Sequence, residues 1–172
     1  MNRVLLVSLM VAIALLAACG PRPTPAPTMP PPPPRPVATD TPVPANDEEA
    51  ILQILHAQAE GVVQQDIDRL MDIWDKDGVI TDANHTPENP GDDSVWTGHE
   101  AIRERYVNLV FPSAPTEAAA TDIQLTIEGD TAWAVSTTNI GDEVQPGGDR
   151  WTFAKKGGRW KITSLTYNLE PR

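Results

Sequence analysis

Apolar residues recur at helical spacing where the part of the chain that can fold begins. Between Asn46 and Gln64 they fall at i, i+3, i+4 and i+7, which predicts an amphipathic helix packed on a core. The apolar positions of this stripe are Ile51, Ile54, Leu55, Ala59, Val62 and Val63. Asn46 followed by Glu49 resembles a capping box and predicts the helix start. Gln58 lies on the same stripe, so it needs either a hydrogen-bond partner or a ligand.

A second, shorter helix is predicted to lead directly into a strand. Its apolar stripe comprises Ile67, Leu70, Met71 and Trp74. Asp66 is the expected N-cap, and the dipeptide Asp77-Gly78 predicts a turn after the helix. Residues 79–81 are all β-branched and predict a strand that ends at Asp82. The carboxylate of Asp82 is therefore expected at the rim or floor of the space between helices and sheet.

A long polar loop and a third helix follow this strand. Residues 83–94 are too rich in proline and polar residues for a strand, and loops of this length are often lids or binding loops. Residues 95–97 predict a short strand, and Gly98 opens the third helix. The expected inward-facing residues of that helix are Ile102, Tyr106, Leu109 and Val110.

The hydrophobic period changes to two after Pro115, which predicts four antiparallel strands joined as a meander. The apolar positions of these strands are Ile123, Leu125, Ile127, Trp133, Val135, Trp151, Phe153, Trp160 and Ile162. Turns are predicted at residues 128–131 and 156–158, and a break at residues 146–148. Helices followed by strands predict an α+β domain in which three N-terminal helices pack on a curved antiparallel sheet.

The N-terminus predicts export and lipidation. Residues 1–18 have a short basic start, an apolar stretch too short to span a bilayer, and the sequence Leu16-Ala17-Ala18 before Cys19. This resembles a bacterial lipobox, in which the chain is cut before the cysteine and the thiol is diacylated, for example with palmitate. Two or more acyl chains anchor stably to a membrane. The alternative is an ordinary secretory signal with an incidental cysteine, although Cys19 is the only cysteine.

The expected location of the mature chain is the extracytoplasmic face of a bacterial cell envelope. Gly20 follows the cysteine in place of the aspartate that is associated with retention in the inner membrane. The outer membrane is therefore favoured in a cell that has one. Residues 19–45 comprise the lipidated cysteine and a proline-rich, disordered linker that serves as a spacer or, alternatively, as a docking ligand for a partner. Residues 46–172 form the folded domain.

The charge of the chain bears on its partners. The 172 residues carry a net charge of −11, which argues against binding to nucleic acid or to anionic headgroups. In the polar loop, His85 lies among acidic residues, but their spacing matches neither a calcium loop nor a zinc motif. No metal site and no cofactor are therefore predicted.

Three short sequence motifs resemble those of one protein family. Residues 74–79 (WDKDGV), 98–102 (GHEAI) and 158–162 (GRWKI), in this order of helices and strands, resemble the SnoaL-like branch of the nuclear transport factor 2-like superfamily. The resemblance covers residues 46–168. It implies a cone-shaped, cystatin-like fold, in which a curved sheet wraps a long helix and leaves an apolar pocket at its open end. It specifies function poorly, because the superfamily contains both enzymes and non-enzymatic modules.

The same resemblance implies candidate site residues. Compared with ketosteroid isomerases, Asp82 takes the position of the catalytic base, and Gln58 takes that of the tyrosine that stabilises the oxyanion. Asp149 is a candidate for their second acid. Because an amide is a weaker donor than that tyrosine, isomerase chemistry is disfavoured. The expected pocket lining includes Trp74, Tyr106 and Trp133.

Two functional hypotheses remain open. In the first, the anchored domain binds a small, largely apolar ligand or acts as a dimeric scaffold. In the second, it is an isomerase, hydrolase or dehydratase that uses Asp82 as a general base. A homodimer is expected through the convex face of the meander, with Thr152 and Thr163 as candidate contacts.

Overall fold

The computed structural model describes residues 43–140 and 143–170. The predicted signal peptide, Cys19 and the linker up to residue 42 lie outside the described residues. Within the described ranges, no helix is both long enough and apolar enough to cross a membrane.

Three α-helices precede the meander, as predicted. They are α1 (Asp47–Gln64), α2 (Ile67–Ile73) and α3 (Gly98–Arg105). A π-helical turn (Tyr106–Val110) and a 3-10 turn (Phe111–Ser113) extend α3, and another 3-10 turn (Pro90–Asp92) lies in the polar loop. Three of the four residues predicted to face inward, Tyr106, Leu109 and Val110, lie in the π turn rather than in α3.

The predicted helix caps are confirmed. Asn46 Oδ1 accepts a hydrogen bond from the Glu49 N–H at 2.8 Å, and Asp66 Oδ1 accepts one from the Arg69 N–H at 3.1 Å. The reciprocal bond of the capping box differs slightly, since Glu49 Oε2 accepts from the Ala45 N–H. The helix starts are therefore determined by local side chain-to-backbone bonds.

The sheet has six strands in the order β2-β1-β6-β5-β4-β3. The strands are β1 (Trp74–Asp82), β2 (Ser94–Thr97), β3 (Ala118–Glu128), β4 (Thr131–Ile140), β5 (Glu143–Lys156) and β6 (Arg159–Tyr167). The antiparallel meander β3 to β6 is confirmed. The sheet as a whole is mixed, however, because β6 returns beside β1 and pairs with it in parallel. Local patterns cannot show this pairing, since the two strands lie far apart in sequence.

The corner between α2 and β1 differs from the prediction in two ways. Trp74 begins β1 instead of ending the helix, and Asp77-Gly78 lies inside the strand instead of forming a turn. The pairing of β1 with β6 is irregular between Trp74 and Val79. A Cβ on Gly78 would lie 2.8 Å from the Trp74 ring, so glycine is required there by close packing at a bulge.

The predicted break at residues 146–148 is also wrong, because these residues lie within β5. The strand accommodates them through an irregular register against β4 between Ser136 and Thr138. Gly147 has a φ of +66°, a conformation that glycine adopts without strain.

The core lies between the helices and the inner face of the sheet. Its largest fully buried side chains are Trp74, Tyr106, Phe153, Ile51, Leu55, Leu70, Ile80, Ile102 and Ile162. On the inner face, Ala132 lies opposite Phe153 and Ala134 lies opposite Trp151. Small residues of β4 thus lie beside large residues of β5 on the inner face of the sheet.

Candidate functional site

The candidate site is a cavity of about 490 Å³ between α1, the end of α3 and the inner face of the sheet. Its apolar wall includes Val62, Trp96, Tyr106, Val110, Trp151 and Leu165. Its polar lining includes Gln58, Asp82, Arg105, Thr138, Asp149, Tyr167 and Asn168. Every strand of the sheet contributes at least one lining residue, so the site depends on the complete fold.

The structure places Gln58, Asp82 and Tyr106 together on the lining of this cavity. Trp74 lies behind the wall: it is buried, and its Nε1–H donates a hydrogen bond to the Tyr106 hydroxyl at 3.2 Å. Trp74 therefore positions a lining residue and does not line the cavity itself.

The placement of Trp133 in the pocket is wrong. The residue is 43% exposed, whereas its neighbours Ala132 and Ala134 are buried. Successive side chains of a strand point to opposite faces, so the two alanines face the core and Trp133 faces outward. The alternation was predicted in the wrong phase, because hydrophobicity alone favoured tryptophan over alanine as the inward residue.

Asp82 ends β1 between two neighbouring strands. In the sheet register it lies beside Ser94 of β2 and Tyr167 of β6. Its Oδ1 accepts hydrogen bonds from the Asn84 N–H at 2.9 Å and from the Asn168 side-chain amide at 2.7 Å. Asp82 thus caps the start of the polar loop and connects it to the C-terminal segment, residues 168–170.

Tyr167 lies next to Asp82 and Arg105. Burial raises the pKa of the Tyr167 hydroxyl. The guanidinium of Arg105 opposes this rise, while the charge of Asp82 and its hydrogen bond with the hydroxyl add to it. At neutral pH Tyr167 is therefore an uncharged hydroxyl between a carboxylate and a cation.

Arg105 is the functional candidate that the sequence reasoning missed. Its guanidinium carbon lies 5.1 Å from the ring centre of Trp96, 5.7 Å from that of Tyr106 and 4.8 Å from that of Tyr167. Its Nε is buried and has no hydrogen-bond partner. A signal was present: Arg105 lies three residues after Ile102 and four before Leu109, on the inward stripe of α3. The predicted inward face of this helix comprised apolar residues and Tyr106 alone, so it did not include Arg105.

Two buried hydroxyls on β4 differ in their bonding. Ser136 Oγ accepts a hydrogen bond from Trp151 Nε1–H at 2.9 Å. Thr138, which lines the cavity and is 7% exposed, has a buried Oγ1 without a partner. Asp149 on β5 lines the cavity too, is 5% exposed, and makes interactions of its own.

The polar loop is attached to the C-terminal segment. The His85 N–H donates to the Asn168 carbonyl at 2.9 Å, and His85 Nδ1 lies 3.2 Å from the Glu170 carbonyl.

Across residues 43–140 and 143–170, no group of three or more His, Cys, Asp or Glu side chains is arranged to hold a metal ion.

Comparison with protein families gives one match. The model of the SnoaL-like domain matches residues 55–163, which is more than half of the chain. No curated protein matches the chain.

Solved structures with a similar fold include proteins with and without a known activity. A protein of unknown function with a cystatin-like fold from Nostoc punctiforme matches with a TM-score of 0.55 and 13% identity, over 72% of this chain and 90% of that one. An NTF2-like protein from Novosphingobium aromaticivorans matches with a TM-score of 0.56 and 18% identity, over 70% and 79%. The hexachlorocyclohexane dehydrochlorinase LinA-type3 from Novosphingobium barchaimii matches with a TM-score of 0.52 and 19% identity, over 69% and 83%.

At these identities the structural matches establish the fold and leave the activity open. They agree with the observed order of helices followed by a curved mixed sheet. The α+β, cystatin-like fold class is thereby confirmed. The chain belongs to the SnoaL-like family, and its domain has the nuclear transport factor 2-like fold.

Proposed function

We propose that the domain binds a small, largely apolar molecule in the cavity between its helices and sheet. The supporting observation is a cavity of about 490 Å³ with an aromatic and aliphatic wall and one polar end, where Asp82, Tyr167 and Arg105 meet. Ligand sites in proteins typically measure about 300–1,000 Å³ and combine apolar walls with a few polar groups.

Filling the cavity tests this proposal. The chain from residue 19 onward, with Cys19→Ala so that it is not acylated, is titrated with the neutral fluorescent probe N-phenyl-1-naphthylamine. Ala120→Trp places a large side chain on the cavity wall, and Gln124→Trp places the same side chain on an exposed position of the same strand. The expected result is at least about tenfold weaker binding in the first variant and unchanged binding in the control.

Equal probe binding by both tryptophan variants would contradict the proposal, because the probe would then bind elsewhere. Native mass spectrometry of the protein as purified complements the titration, since a ligand retained in the cavity of the parent chain should be absent from Ala120→Trp.

A second candidate function is general-base catalysis by Asp82. It is favoured by the position of Asp82 on the cavity wall beside the neutral hydroxyl of Tyr167, which is a stronger donor to an oxyanion than the amide of Gln58. One feature weighs against it. Asp82 Oδ1 already accepts two hydrogen bonds, and the carboxylate accepts a third from the Tyr167 hydroxyl, so that the base and the proposed donor are both partly engaged with other groups.

Asp82→Asn separates the two functions. Under the binding function, probe affinity stays within about twofold, because the amide keeps the shape of the carboxylate and an acceptor oxygen. Under the catalytic function, turnover of the retained ligand falls by at least about a hundredfold, since general-base catalysis contributes roughly 10²–10⁴-fold. A fully active Asp82→Asn variant would eliminate the catalytic candidate.

We also propose that the domain is held at the extracytoplasmic face of the envelope by acylated Cys19, with residues 20–45 as a spacer. The support is the sequence Leu16-Ala17-Ala18 before the only cysteine. In detergent phase partitioning, the intact chain should enter the detergent phase and Cys19→Ala should stay in the aqueous phase. A Cys19→Ala variant that still entered the detergent phase would contradict lipid anchoring.

A homodimer through the outer face of the meander is proposed as well. Trp133 is exposed there beside Thr152, whose Oγ1 is 2.7 Å from Thr163 Oγ1. Tryptophan is enriched at protein–protein interfaces relative to the rest of the protein surface. Light scattering at about 10–100 µM should show a dimer that Trp133→Glu dissociates, and a monomeric parent chain would refute this arrangement.

A further inference from the structure

We infer that the ligand of the cavity carries a carboxylate, and that Arg105 is the residue that binds it. This inference rests on the proposed binding function, because it concerns the chemistry of the same cavity. The cavity walls by themselves indicate an apolar ligand. The inference adds that this ligand has a negatively charged group, which Arg105 binds.

The charge of Arg105 has no carboxylate partner. Within residues 43–140 and 143–170, none of the ion pairs shorter than 4.0 Å includes Arg105. It is held instead by the faces of three aromatic rings and by the hydroxyl of Tyr167. Ring faces attract a cation, but they do not accept its five N–H groups as a carboxylate does.

The neighbouring acids do not fill this role. Asp82 accepts from Asn84 and Asn168, and it reaches Arg105 only through the hydroxyl of Tyr167. Asp149 has interactions of its own. The buried polar atoms without partners on the cavity lining are Arg105 Nε and Thr138 Oγ1. One is a donor and the other can donate, so an acceptor oxygen of a ligand would satisfy both.

A monocarboxylate fits these groups better than other anions. The planar guanidinium matches the two oxygens of a carboxylate. A phosphate dianion would bring two negative charges to a cavity that has one cation and two acids, Asp82 and Asp149, in its wall. Apolar walls and a single cation therefore favour a hydrophobic monocarboxylic acid small enough for about 490 Å³.

The test compares two probes of nearly the same shape, one with a carboxylate and one with a neutral amide. Naphthalene-1-acetic acid and its neutral amide, naphthalene-1-acetamide, are titrated calorimetrically at pH 7 into the chain from residue 19 onward with Cys19→Ala. The acid is expected to bind roughly ten to a hundred times more tightly than the amide, which is the range for a hydrogen bond to a charged group.

The preference of the protein for the acid over the amide should depend on Arg105. Arg105→Gln should bring the acid-to-amide ratio close to one, mainly by weakening the acid. Arg103→Gln is the matched control, because Arg103 is exposed on the same helix and does not line the cavity; it should retain the full ratio. Arg105→Lys keeps the charge without the planar fork, and an intermediate ratio is expected. Arg105→Lys also serves as the test if Arg105→Gln does not fold.

The outcomes separate the two proposals. If both probes bind the parent chain with equal affinity, the carboxylate inference is wrong and the binding function stands. If Arg105→Gln weakens acid and amide equally, Arg105 only supports the cavity wall and the inference is again wrong. If neither probe binds at millimolar concentration, the proposed binding function fails and the inference fails with it.

Discussion

Charged side chains near the two ends of β6 have different kinds of partner. At its start, beside the β5–β6 turn, Lys155 pairs with Asp47 at 2.6 Å and Lys156 pairs with Asp75 at 2.7 Å. At its other end, Arg105 is surrounded by aromatic rings and its Nε lacks an acceptor. A charge with a carboxylate partner stabilises the fold, whereas a charge in a cavity without one is available to a ligand.

Near the start of β6, the charged side chains form ion pairs and hydrogen bonds that stabilise the fold. Asp47 Oδ1 accepts from both Lys155 Nζ and Trp160 Nε1–H, and the hydrogen bond with Lys155 is the main reason that the pKa of Asp47 is lowered. Lys161 donates to the carbonyl of Asp72 at the end of α2. A groove of about 1,090 Å³ lies beside this end, yet its charged lining is already engaged in such pairs.

The largest effect on stability is expected from Ser136→Ala. The substitution removes the acceptor of the buried Trp151 Nε1–H, and an unpaired buried donor costs about 1–3 kcal/mol. Urea unfolding at pH 7 measures the loss. A loss below about 0.5 kcal/mol would show that a water or another group replaces Ser136, and it would weaken the distinction between paired and unpaired groups.

Asp75→Asn should have the next largest effect, a loss of about 1 kcal/mol. The Asp75 side chain is 7% exposed, pairs with Lys156, and accepts from the Asp77 N–H at 3.0 Å. The amide oxygen can still accept that backbone bond, and Lys156 can reach water, so only the ion pair is lost. Asp77→Asn, at an exposed position, is the control and should change the free energy of unfolding by less than about 0.5 kcal/mol.

A pH dependence follows from the same pair. The hydrogen bond from Lys156 is the main reason that the pKa of Asp75 lies below 3.8, and the Asp77 N–H adds to this against the effect of burial. A lowered pKa contributes stability above the unfolded value, and this contribution is lost as the pH falls through the folded value. The unfolding midpoint in urea should therefore drop more steeply below about pH 4 in the parent chain than in Asp75→Asn.

Thr138→Val should have the smallest effect on stability, between zero and a gain of about 1 kcal/mol. It replaces a buried hydroxyl that has no partner by a methyl group of nearly the same size. Because Thr138 lines the cavity, affinity for naphthalene-1-acetic acid should fall two- to tenfold if the hydroxyl contacts the ligand. A stability loss above 1 kcal/mol would show that Thr138 is bonded, and the contrast with Ser136 would disappear.

Much of the fold could be predicted because its signals are local. Asn46 and Asp66 cap their helices with their own side chains, and the Gly157-Gly158 turn joins strands that are neighbours in sequence. The predictions failed where a distant element overrides the local signal. Asp77-Gly78 is a turn dipeptide in isolation, but it lies inside β1, which pairs on both sides with strands distant in sequence, β2 and β6.

The candidate site was predicted only in part, for a related reason. Gln58 and Asp82 were singled out because each interrupts or ends a pattern, and the structure places both on one cavity. The predicted alternation of inward and outward residues in β4 was wrong. Whether Ala134 or Trp133 faces inward depends on Trp151, the large residue that lies opposite Ala134.

The sequence by itself determined the three helices, the antiparallel meander and the likeness to the SnoaL-like family, because capping, periodicity and turn residues act over a few positions. Only the tertiary structure decided that β6 lies parallel to β1, which brings Tyr167 beside Asp82. The same arrangement brings Arg105 of α3 against Trp96 and Tyr167 from two different strands. The cavity and its unpaired cation arise from contacts between residues far apart in the chain, and no local pattern encodes such contacts.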